Sequence, residues 1–391
     1  MSFELGINYW PRSSAMYMWE EFDIGEVRED MARIADMGFE VVRMFTRTKD
    51  FLPTPTTVDT AMVQRLVEVV QTIGDAGLMV VPTVIILNMS GSIWWPDWML
   101  DAKGKPRDIF SDPVILKAQA LLAQAVARAL AGNPALRGFD LANEIDDAQF
   151  PKSREAASGW ASTLASTLRT EAPGTQVRLG MHLPSLTTDN NVRVDDIATI
   201  ADEDVMHTYP LYSDFARTPL DPELAPFSLA LTAGLSGAAR RPLMQEFGAC
   251  TAPPGSPGRM ITDNFLGDLK PQYLASEEEQ AAYFETVLER LLKTGAAGAY
   301  AWCYADYVPR LFVRPPLATA LRERTFGLVR PDGSEKPAAD VFRRFSERRI
   351  EGTLVQGEVP RILDVSADEY YRAPEEHFGR LYSKWVAQAA S

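Results

Sequence analysis

The chain has 391 residues, of which 46% are hydrophobic and 24% are charged. This is the composition of a globular protein with a large core, and it excludes fibrous and disordered classes. The net charge of −14 arises from 53 acidic and 39 basic residues, and the basic residues form no cluster. Because binding to phosphate groups needs Lys and Arg, we expect no nucleic-acid partner.

Targeting and redox signals are few. The chain starts without the basic and apolar regions of a signal peptide, and the longest apolar run, Leu78 to Leu87, is too short for a membrane span of about 20 residues. We therefore expect a cytoplasmic protein with no membrane partner. The two cysteines, Cys250 and Cys303, are not in a Cys-x-x-Cys pair, so we expect reduced thiols and no zinc site.

Short apolar or β-branched runs alternate with segments of helical periodicity along most of the chain, which predicts successive strand–helix units. The predicted strands are Phe3 to Tyr9, Val41 to Phe45, Met79 to Leu87, Gly138 to Ala142, Val177 to Met181, Val205 to His207, Pro242 to Phe247 and Gly298 to Trp302. The predicted helices are Asp23 to Met37, Asp59 to Ala76, Asp112 to Ala131, Ser153 to Thr170, Ala225 to Ala239, Ser276 to Lys293 and Lys336 to Arg348.

Eight strands that mostly alternate with helices favour the α/β class with a closed (β/α)8 TIM barrel. An open doubly wound sheet has the same local pattern, but no Gly-x-Gly-x-x-Gly follows any predicted strand, which disfavours its nucleotide-binding form. Local signals agree with the helix assignments. Asp23 with Glu26 and Ser276 with Glu279 match capping boxes, and Gly38 and Gly77 stand where a left-handed C-cap residue is expected.

The predicted domain organisation is a catalytic barrel over residues 1–348 and a C-terminal extension over residues 349–391. From Ile362 to Ser391 the extension carries too many aromatic and apolar side chains for a solvated tail. We expect a helix that packs on the barrel, on a partner subunit or over the site. The second arrangement would make the protein a homo-oligomer.

Two carboxylates stand where a barrel enzyme places its reactive groups, at the C-terminal ends of strands. Glu144 follows the fourth predicted strand and Glu246 lies in the seventh, on opposite sides of an eight-stranded barrel. Glycoside hydrolysis needs two carboxyl groups, and a spacing of about 5–5.5 Å gives the retaining mechanism. The other interpretation of each is a structural ion pair at the barrel rim.

The motifs at five strand ends resemble family five of the glycoside hydrolases, retaining barrel enzymes with acid/base and nucleophile after strands four and seven. The resemblance covers nearly the whole chain. Its carriers are Val42-Arg43, Leu141-Ala142-Asn143-Glu144, His207-Thr208-Tyr209, Gln245-Glu246-Phe247-Gly248 and Ala301-Trp302.

The resemblance implies a role for each of these residues. Glu144 would be the general acid/base, protonated until needed because it is poorly solvated, and Glu246 the nucleophile. Arg43 and Tyr209 would donate to Glu246, Asn143 would bind the sugar 2-hydroxyl, His207 would contribute to the sugar site, and Trp302 would form an apolar floor under the sugar. Four of these residues also have a structural interpretation. Arg43 would then balance the charge of the acidic rim, His207 and Tyr209 would be paired polar groups of the core, and Trp302 would fill the core.

Two further segments resemble the branch of this family that contains bacterial exo-acting β-mannosidases. They are Gly6-Ile7-Asn8-Tyr9-Trp10-Pro11 and Asn88-Met89-Ser90-Gly91 followed by Trp94-Trp95-Pro96-Asp97-Trp98. We expect Trp10, Trp94, Trp95 and Trp98 to wall the sugar pocket, unless the loop is tucked against the barrel. Asn88 stands where related sequences carry His, and Ile145 where the family usually has Pro.

These observations predict a retaining β-glycosidase, specifically an exo-β-mannosidase acting on short oligosaccharides, with no cofactor and no metal. One alternative is an endo-β-1,4-glucanase or endo-β-mannanase, which would have an open cleft. Another is a non-catalytic carbohydrate-binding barrel, but the presence of both Glu144 and Glu246 argues against it. A metal-dependent barrel hydrolase would need several ligands at strand ends, and the chain has only His182, His207 and His377.

Overall fold

Eight parallel strands form the central sheet of the computed structural model, which describes residues 3–265 and 267–389. The ends of the predicted barrel and extension at residues 1–2 and 390–391 lie outside these ranges. The strands are β1 (Glu4–Asn8), β2 (Val41–Arg47), β3 (Met79–Ile86), β4 (Gly138–Asn143), β5 (Gln176–Gly180), β6 (Val205–His207), β7 (Leu243–Phe247) and β8 (Gly298–Ala301). All eight predicted strands are confirmed.

The sheet closes into a barrel because the strands pair in parallel with their sequence neighbours, except β5 with β6, and β8 returns to β1, pairing Gly298 with Glu4. Between β5 and β6 the contact is short. It consists of the His207 N–H donating to the Met181 carbonyl oxygen at 2.8 Å. The predicted (β/α)8 barrel is therefore confirmed, and its strand ends converge on one mouth.

A helix follows each strand and covers the barrel. These helices are α1 (Ile24–Asp36), α2 (Thr60–Asp75), α3 (Pro113–Leu130), α4 (Arg154–Glu171), α5 (Val194–Ala198), α6 (Leu224–Ser236), α7 (Glu277–Lys293) and α8 (Pro337–Ile350). Helix α5 was not predicted, because five residues are too few to show helical periodicity.

The helix-end signals act largely as expected. Ser276 and Glu279 form a reciprocal capping box at α7. Asp23 caps α1, but the Glu26 side chain accepts from Ser13 instead of returning to the cap, so the box expected there is wrong in its second half. Gly38 has a φ of 83°, and a Cβ there would lie 2.4 Å from the Ser346 Cβ, so this turn requires glycine.

Helix α3 is long and apolar enough to cross a membrane by length and composition. In the fold it is the third barrel helix. It packs against α4 and β3, and Ile115, Leu122 and Val126 are fully buried. Its apolar composition is accounted for by these contacts. Cys250 and Cys303 are both free and buried.

Beyond α8 the extension runs across the barrel and ends in helix α9 (Pro374–Ala389), preceded by the short helix Ala367–Tyr370. In α9, Phe378 contacts Phe215 and Phe227 with ring centroids 4.7 and 5.0 Å apart. The Tyr370 hydroxyl donates to the Leu186 carbonyl oxygen at 2.7 Å. The extension thus packs on the barrel beside the loops that follow β5 and β6.

A two-stranded antiparallel hairpin, Arg259–Phe265 with Asp268–Leu274, projects from the loop after β7 and was not predicted. Buried Asp263 anchors it by accepting from the backbone N–H groups of Leu321 and Arg322 at 2.7 and 3.0 Å and from the Arg322 guanidinium. This anchor places the Phe265 ring at the barrel mouth.

Candidate active site

A cavity of about 540 Å³ opens at the mouth of the barrel. Its floor carries Asn143, Glu144, His207, Glu246 and Trp302 from the ends of β4, β6, β7 and β8. Its walls come from the loops after β3 to β8, the hairpin residue Phe265 and Glu375 of α9. The volume lies within the range of about 300–1,000 Å³ that is usual for small-molecule sites.

Glu144 and Glu246 face each other across this floor. One carboxylate oxygen of each lies within 4.8 Å of the other, with His207 between them. The His207 Nδ1 is 2.9 Å from the Glu144 Oε1 and 3.5 Å from the Glu246 Oε1. This spacing agrees with a retaining glycosidase and is too short for the inverting arrangement of about 6.5–9.5 Å.

Glu246 is held from two sides, and its side chain is only 5% exposed. The Arg43 Nη1 donates to its Oε1, and the Tyr209 hydroxyl donates to its Oε2 at 2.7 Å. Burial and the charge of Glu246 raise the pKa of Tyr209 well above its ordinary value, so the phenol remains a donor. These contacts stabilise the negative charge of Glu246 and fix the direction in which its free lone pairs point.

Arg43 links the carboxylate floor to the strands beneath it. Its guanidinium also donates to Asp140 at 2.9 Å, to Asn8 at 3.0 Å and to the Asn143 Oδ1 at 2.8 Å. The last contact orients the Asn143 amide, whose Nδ2 is 3.3 Å from the Asn88 carbonyl oxygen. The fully buried guanidinium therefore positions side chains from β1, β4 and β7 together.

Glu144 sits where β4 turns into the short helix Ile145–Ala148, with a left-handed backbone (φ 41°, ψ 52°). A non-glycine residue in this conformation is held there by its surroundings, and such strain clusters at functional sites. Its carboxylate accepts from the Asn88 Nδ2 at 3.3 Å besides contacting His207. Its side chain is 16% exposed, so it is the more accessible of the two carboxylates.

The electrostatics of Glu144 correct one expectation. Burial raises the pKa of Glu144, but the charges of His182 and Arg43 and the hydrogen bond from His207 outweigh burial and lower the pKa to about 2. The free enzyme thus holds Glu144 ionised at neutral pH. The expectation that a poorly solvated Glu144 keeps its own proton is wrong, because positive neighbours offset desolvation.

A second acidic group beside Glu144 behaves in the opposite way. Burial raises the pKa of Asp147 to about 7, against the opposing charge of His182 and with help from the charges of Glu144 and Asp146. Burial lowers the pKa of His182, but Asp146, Asp147 and Glu144 together raise it well above its ordinary value. His182 is therefore a cation next to three carboxylates.

Trp302 lies in the cavity floor, as expected, and its ring packs against Phe45 with centroids 5.9 Å apart. The expected tryptophan wall is wrong. Although all four residues lie in the described part of the chain, none of Trp10, Trp94, Trp95 and Trp98 lines the cavity.

Each of these tryptophans has a different packing partner. Trp10 stacks on Phe45, Trp94 is covered by Arg47, the Trp98 Nε1 donates to the Leu52 carbonyl oxygen, and Trp95 packs against the core. These contacts tuck the loop against the barrel, and only its turn, Asn88 to Gly91, reaches the cavity.

Several residues of the site were missed. His182 directly follows the fifth predicted strand, so the rule of inspecting polar residues after each strand would have found it. Asp146 and Asp147 were not predicted either, because they lie beyond the strand end, in the short helix Ile145–Ala148. Phe265, Arg322 and Glu375 reach the cavity from the hairpin, a loop and the extension, and no local sequence signal marks them.

Two groups of described residues combine metal-ligand types within 4.8 Å: Glu144 with Asp147 and His182, and Glu144 with His207 and Glu246. Arg43 already neutralises Glu246, and His182 carries a positive charge among the carboxylates of the first group. Both groups therefore contain their own counter-ions, which disfavours a further cation.

Comparisons with known proteins identify the family to which the chain belongs. The family model described as cellulase (glycosyl hydrolase family 5) matches residues 9–203. The chain belongs to glycoside hydrolase family 5. It is a retaining glycoside hydrolase that acts on β-glycosides. A search of curated proteins finds no match.

Solved structures share the fold over nearly the entire chain. A GH5_18 protein from Streptomyces cattleya in complex with GlcNAc has a TM-score of 0.83 at 22% identity, covering 100% of this chain and 92% of that one. A variant of it in complex with Manβ1-4GlcNAc has a TM-score of 0.82 at 21% identity with the same coverage. The exo-β-1,4-mannosidase Op5Man5 from Opitutaceae bacterium strain TAV5 has a TM-score of 0.74 at 26% identity, covering 90% of this chain and 60% of that one.

Proposed function

We propose that the protein is an exo-β-mannosidase that releases a single mannose from the non-reducing end of short oligosaccharides, with a cytoplasmic location. The disaccharide Manβ1-4GlcNAc, which is bound in the Streptomyces cattleya structure, is the candidate substrate. The observation that carries the proposal is the pair of opposed carboxylates, within 4.8 Å, on the floor of a cavity sized for a small ligand.

The two carboxylates take different roles because their surroundings differ. Glu246, held by Arg43 and Tyr209, attacks the anomeric carbon and forms a glycosyl-enzyme ester while the glycosidic oxygen leaves. Glu144, the more exposed carboxylate, gives that oxygen a proton and later takes one from the water that hydrolyses the ester. Anomeric configuration is retained because the carbon is inverted twice.

Polar groups around the carboxylates are disposed to bind the glycone. Asn143, oriented by Arg43, is placed to contact the sugar 2-hydroxyl, and Trp302 provides an apolar floor. Buried Asn88 uses its Nδ2 for Glu144 and Asp147, while its Oδ1 has no partner among the described residues. An unpaired buried acceptor at a sugar site is satisfied by a sugar hydroxyl.

The aglycone side follows from the reaction geometry. Glu246 attacks the face opposite the leaving oxygen, so the aglycone extends past Glu144 toward the loops after β4 and β5. Phe150 lies on this side, lines the cavity and is 63% exposed, as expected of a sugar-stacking ring. Glu375 of α9 borders the same side, so the extension limits the length of aglycone that fits.

The test is the activity on a panel of nitrophenyl β-glycosides, followed by product analysis on Manβ1-4GlcNAc and on β-1,4-mannooligosaccharides. We expect a preference for the β-mannoside and a steady release of single mannose units. Early accumulation of mid-length fragments would favour the endo alternative. Binding of these sugars without turnover of any glycoside would favour the non-catalytic barrel.

A further inference from the structure

An unusual set of charges surrounds the Glu144 carboxylate on the side away from Glu246. The His182 ring, at the end of β5, places its Nδ1 3.9 Å from the Glu144 Oε1 and its Nε2 3.8 Å from the Asp147 Oδ1. The same Nε2 is 2.7 Å from the Asp146 Oδ2. One imidazole thus lies among three carboxylates.

Asn88 bridges two of these carboxylates directly. Its Nδ2 donates to the Glu144 Oε2 at 3.3 Å and to the Asp147 Oδ2 at 3.0 Å. An amide that donates to both oxygens holds the two groups close without supplying a full charge. The carboxylates of Glu144 and Asp147 therefore share the Asn88 amide as donor, and their negative charges repel each other. His182 is the nearest positively charged group.

Burial and hydrogen bonds hold the residues of this cluster in place. His182, Asp146 and Asn88 are all buried, and Asn190 fixes Asp146 by donating to its Oδ2 at 2.5 Å. The other titratable or charged groups that face Glu144 are His207 and Tyr209 from β6 and the loop after it, Arg43 from β2 and Glu246 from β7. These four belong to the floor described above, whereas Asp147 and His182 are not assigned to any step.

We propose that Asp147 and His182 are positioning residues whose opposed charges set when Glu144 carries the proton it donates. This inference rests on the proposed acid/base role of Glu144. The negative charge of Asp147 favours the protonated form of Glu144, and the positive charge of His182 favours the ionised form.

Glu144 is ionised in the free enzyme, yet it must carry a proton to act as the acid, and the neighbouring Asp147 can supply that proton. Because the pKa of Asp147 is raised to about 7 and that of Glu144 is lowered to about 2, the pair holds one proton between these limits. The reactive form is the arrangement with that proton on Glu144. It is lost when the pair gives up the proton, so the alkaline limb of kcat/KM is expected near pH 7.

Two substitutions should move this limb in opposite directions. Asp147→Asn removes the neighbouring negative charge, so the alkaline limb should shift to lower pH by about 1–3 units. His182→Gln removes the cation, so the limb should shift to higher pH by a similar amount. The measurement is the pH profile of kcat/KM on a disaccharide, whose leaving group needs protonation. Asp189→Asn, a surface change on the loop after β5, is the matched control and should leave the limb in place.

A purely structural role predicts lower rates with an unmoved limb, and this result, or shifts in the same direction, would overturn the proposal. In case His182→Gln does not fold, Asp146→Asn keeps the imidazole and removes its closest carboxylate.

Since the chain has only three histidines, NMR titration of their rings can follow His182 without substrate. A His182 pKa well above 6.5 that falls in Asp146→Asn supports the cluster. A ring that is neutral at pH 6.5 contradicts it. A failure of the proposed function would show as absent β-mannosidase activity with the NMR titration intact.

Discussion

His207 lies between Glu144 and Glu246, with its Nδ1 2.9 Å from one carboxylate and 3.5 Å from the other. Its Nε2 is 3.0 Å from the Gln245 Oε1, which fixes the ring plane. A ring held in this way keeps the two carboxylates at one separation. The separation decides the stereochemical outcome of the reaction, so the ring protects the geometry on which retention depends.

The first prediction concerns leaving groups. Replacing Glu144 by Ala removes the proton donor, so kcat/KM on a mannosyl disaccharide should fall by about 10²–10⁴-fold, and activated aryl mannosides should be affected far less in the first step. Azide should then intercept the glycosyl-enzyme and give the β-glycosyl azide. A variant that hydrolyses the disaccharide at the parent rate, or that yields the α-azide, would contradict the assignment.

The second prediction concerns the extension. Phe378→Ala in α9 should lower the free energy of unfolding by about 3–5 kcal/mol, because it opens a cavity between Phe215 and Phe227. Val355→Ala is the matched control, since Val355 is 83% exposed. Truncation from about Ile362 should expose the same ring faces and reduce solubility. Denaturant unfolding measures the first effect, and equal values for both point variants would show that α9 adds no stability.

The third prediction is a pH dependence of stability that arises far from the cavity. Asp30 accepts from the hydroxyls of Tyr9 and Tyr304 at 3.0 and 2.7 Å, and burial raises its pKa from 3.8 to about 7, with a further rise from the charge of Glu26. Folding therefore favours protonated Asp30. Its contribution to stability is full below pH 4 and is lost as pH rises through about 7.

The test compares the wild type with Asp30→Asn, which stays neutral at every pH. The stability of the variant relative to the wild type should increase between pH 4 and pH 7 by an amount on the order of a few kcal/mol. Other titrating groups cancel in this difference. A difference that stays constant with pH would show that Asp30 has the same pKa in the folded and unfolded states.

The fourth prediction concerns metals. Acid/base and nucleophilic roles are filled by carboxylates whose counter-ions are Arg43 and His182. Exhaustive chelation should leave kcat and KM on a β-mannoside unchanged. A large loss of activity that a divalent cation restores would sink this part of the mechanism.

The sequence predicted the barrel because each strand is a short apolar run followed by helical periodicity, and it predicted Glu144, Glu246, Arg43, Asn143, His207, Tyr209 and Trp302 together on its mouth. All but Arg43, which lies within β2 beneath the floor, are at strand ends, where position in the chain determines position in the barrel.

The features of the site that the sequence did not predict lie outside the barrel strands, in loops and in the C-terminal extension. Trp94 and Trp98 could face the cavity or the barrel, and only packing against Arg47 and Leu52 decides between them. Phe265 and Glu375 reach the cavity through long-range contacts that no local pattern records. The protonation of Glu144 depends on His182, which lies 38 residues further along the chain, so it could not be inferred from burial alone.

The most direct test of the account is covalent labelling with 2-deoxy-2-fluoro-β-mannosyl fluoride followed by peptide mass spectrometry. The fluorine at C2 slows both steps, and the fluoride leaving group restores the first, so the glycosyl-enzyme accumulates. We predict one equivalent of label, ester-linked to Glu246, with time-dependent loss of activity. Label on Glu144 or another carboxylate, or an active enzyme that never acquires label, would contradict the central claim.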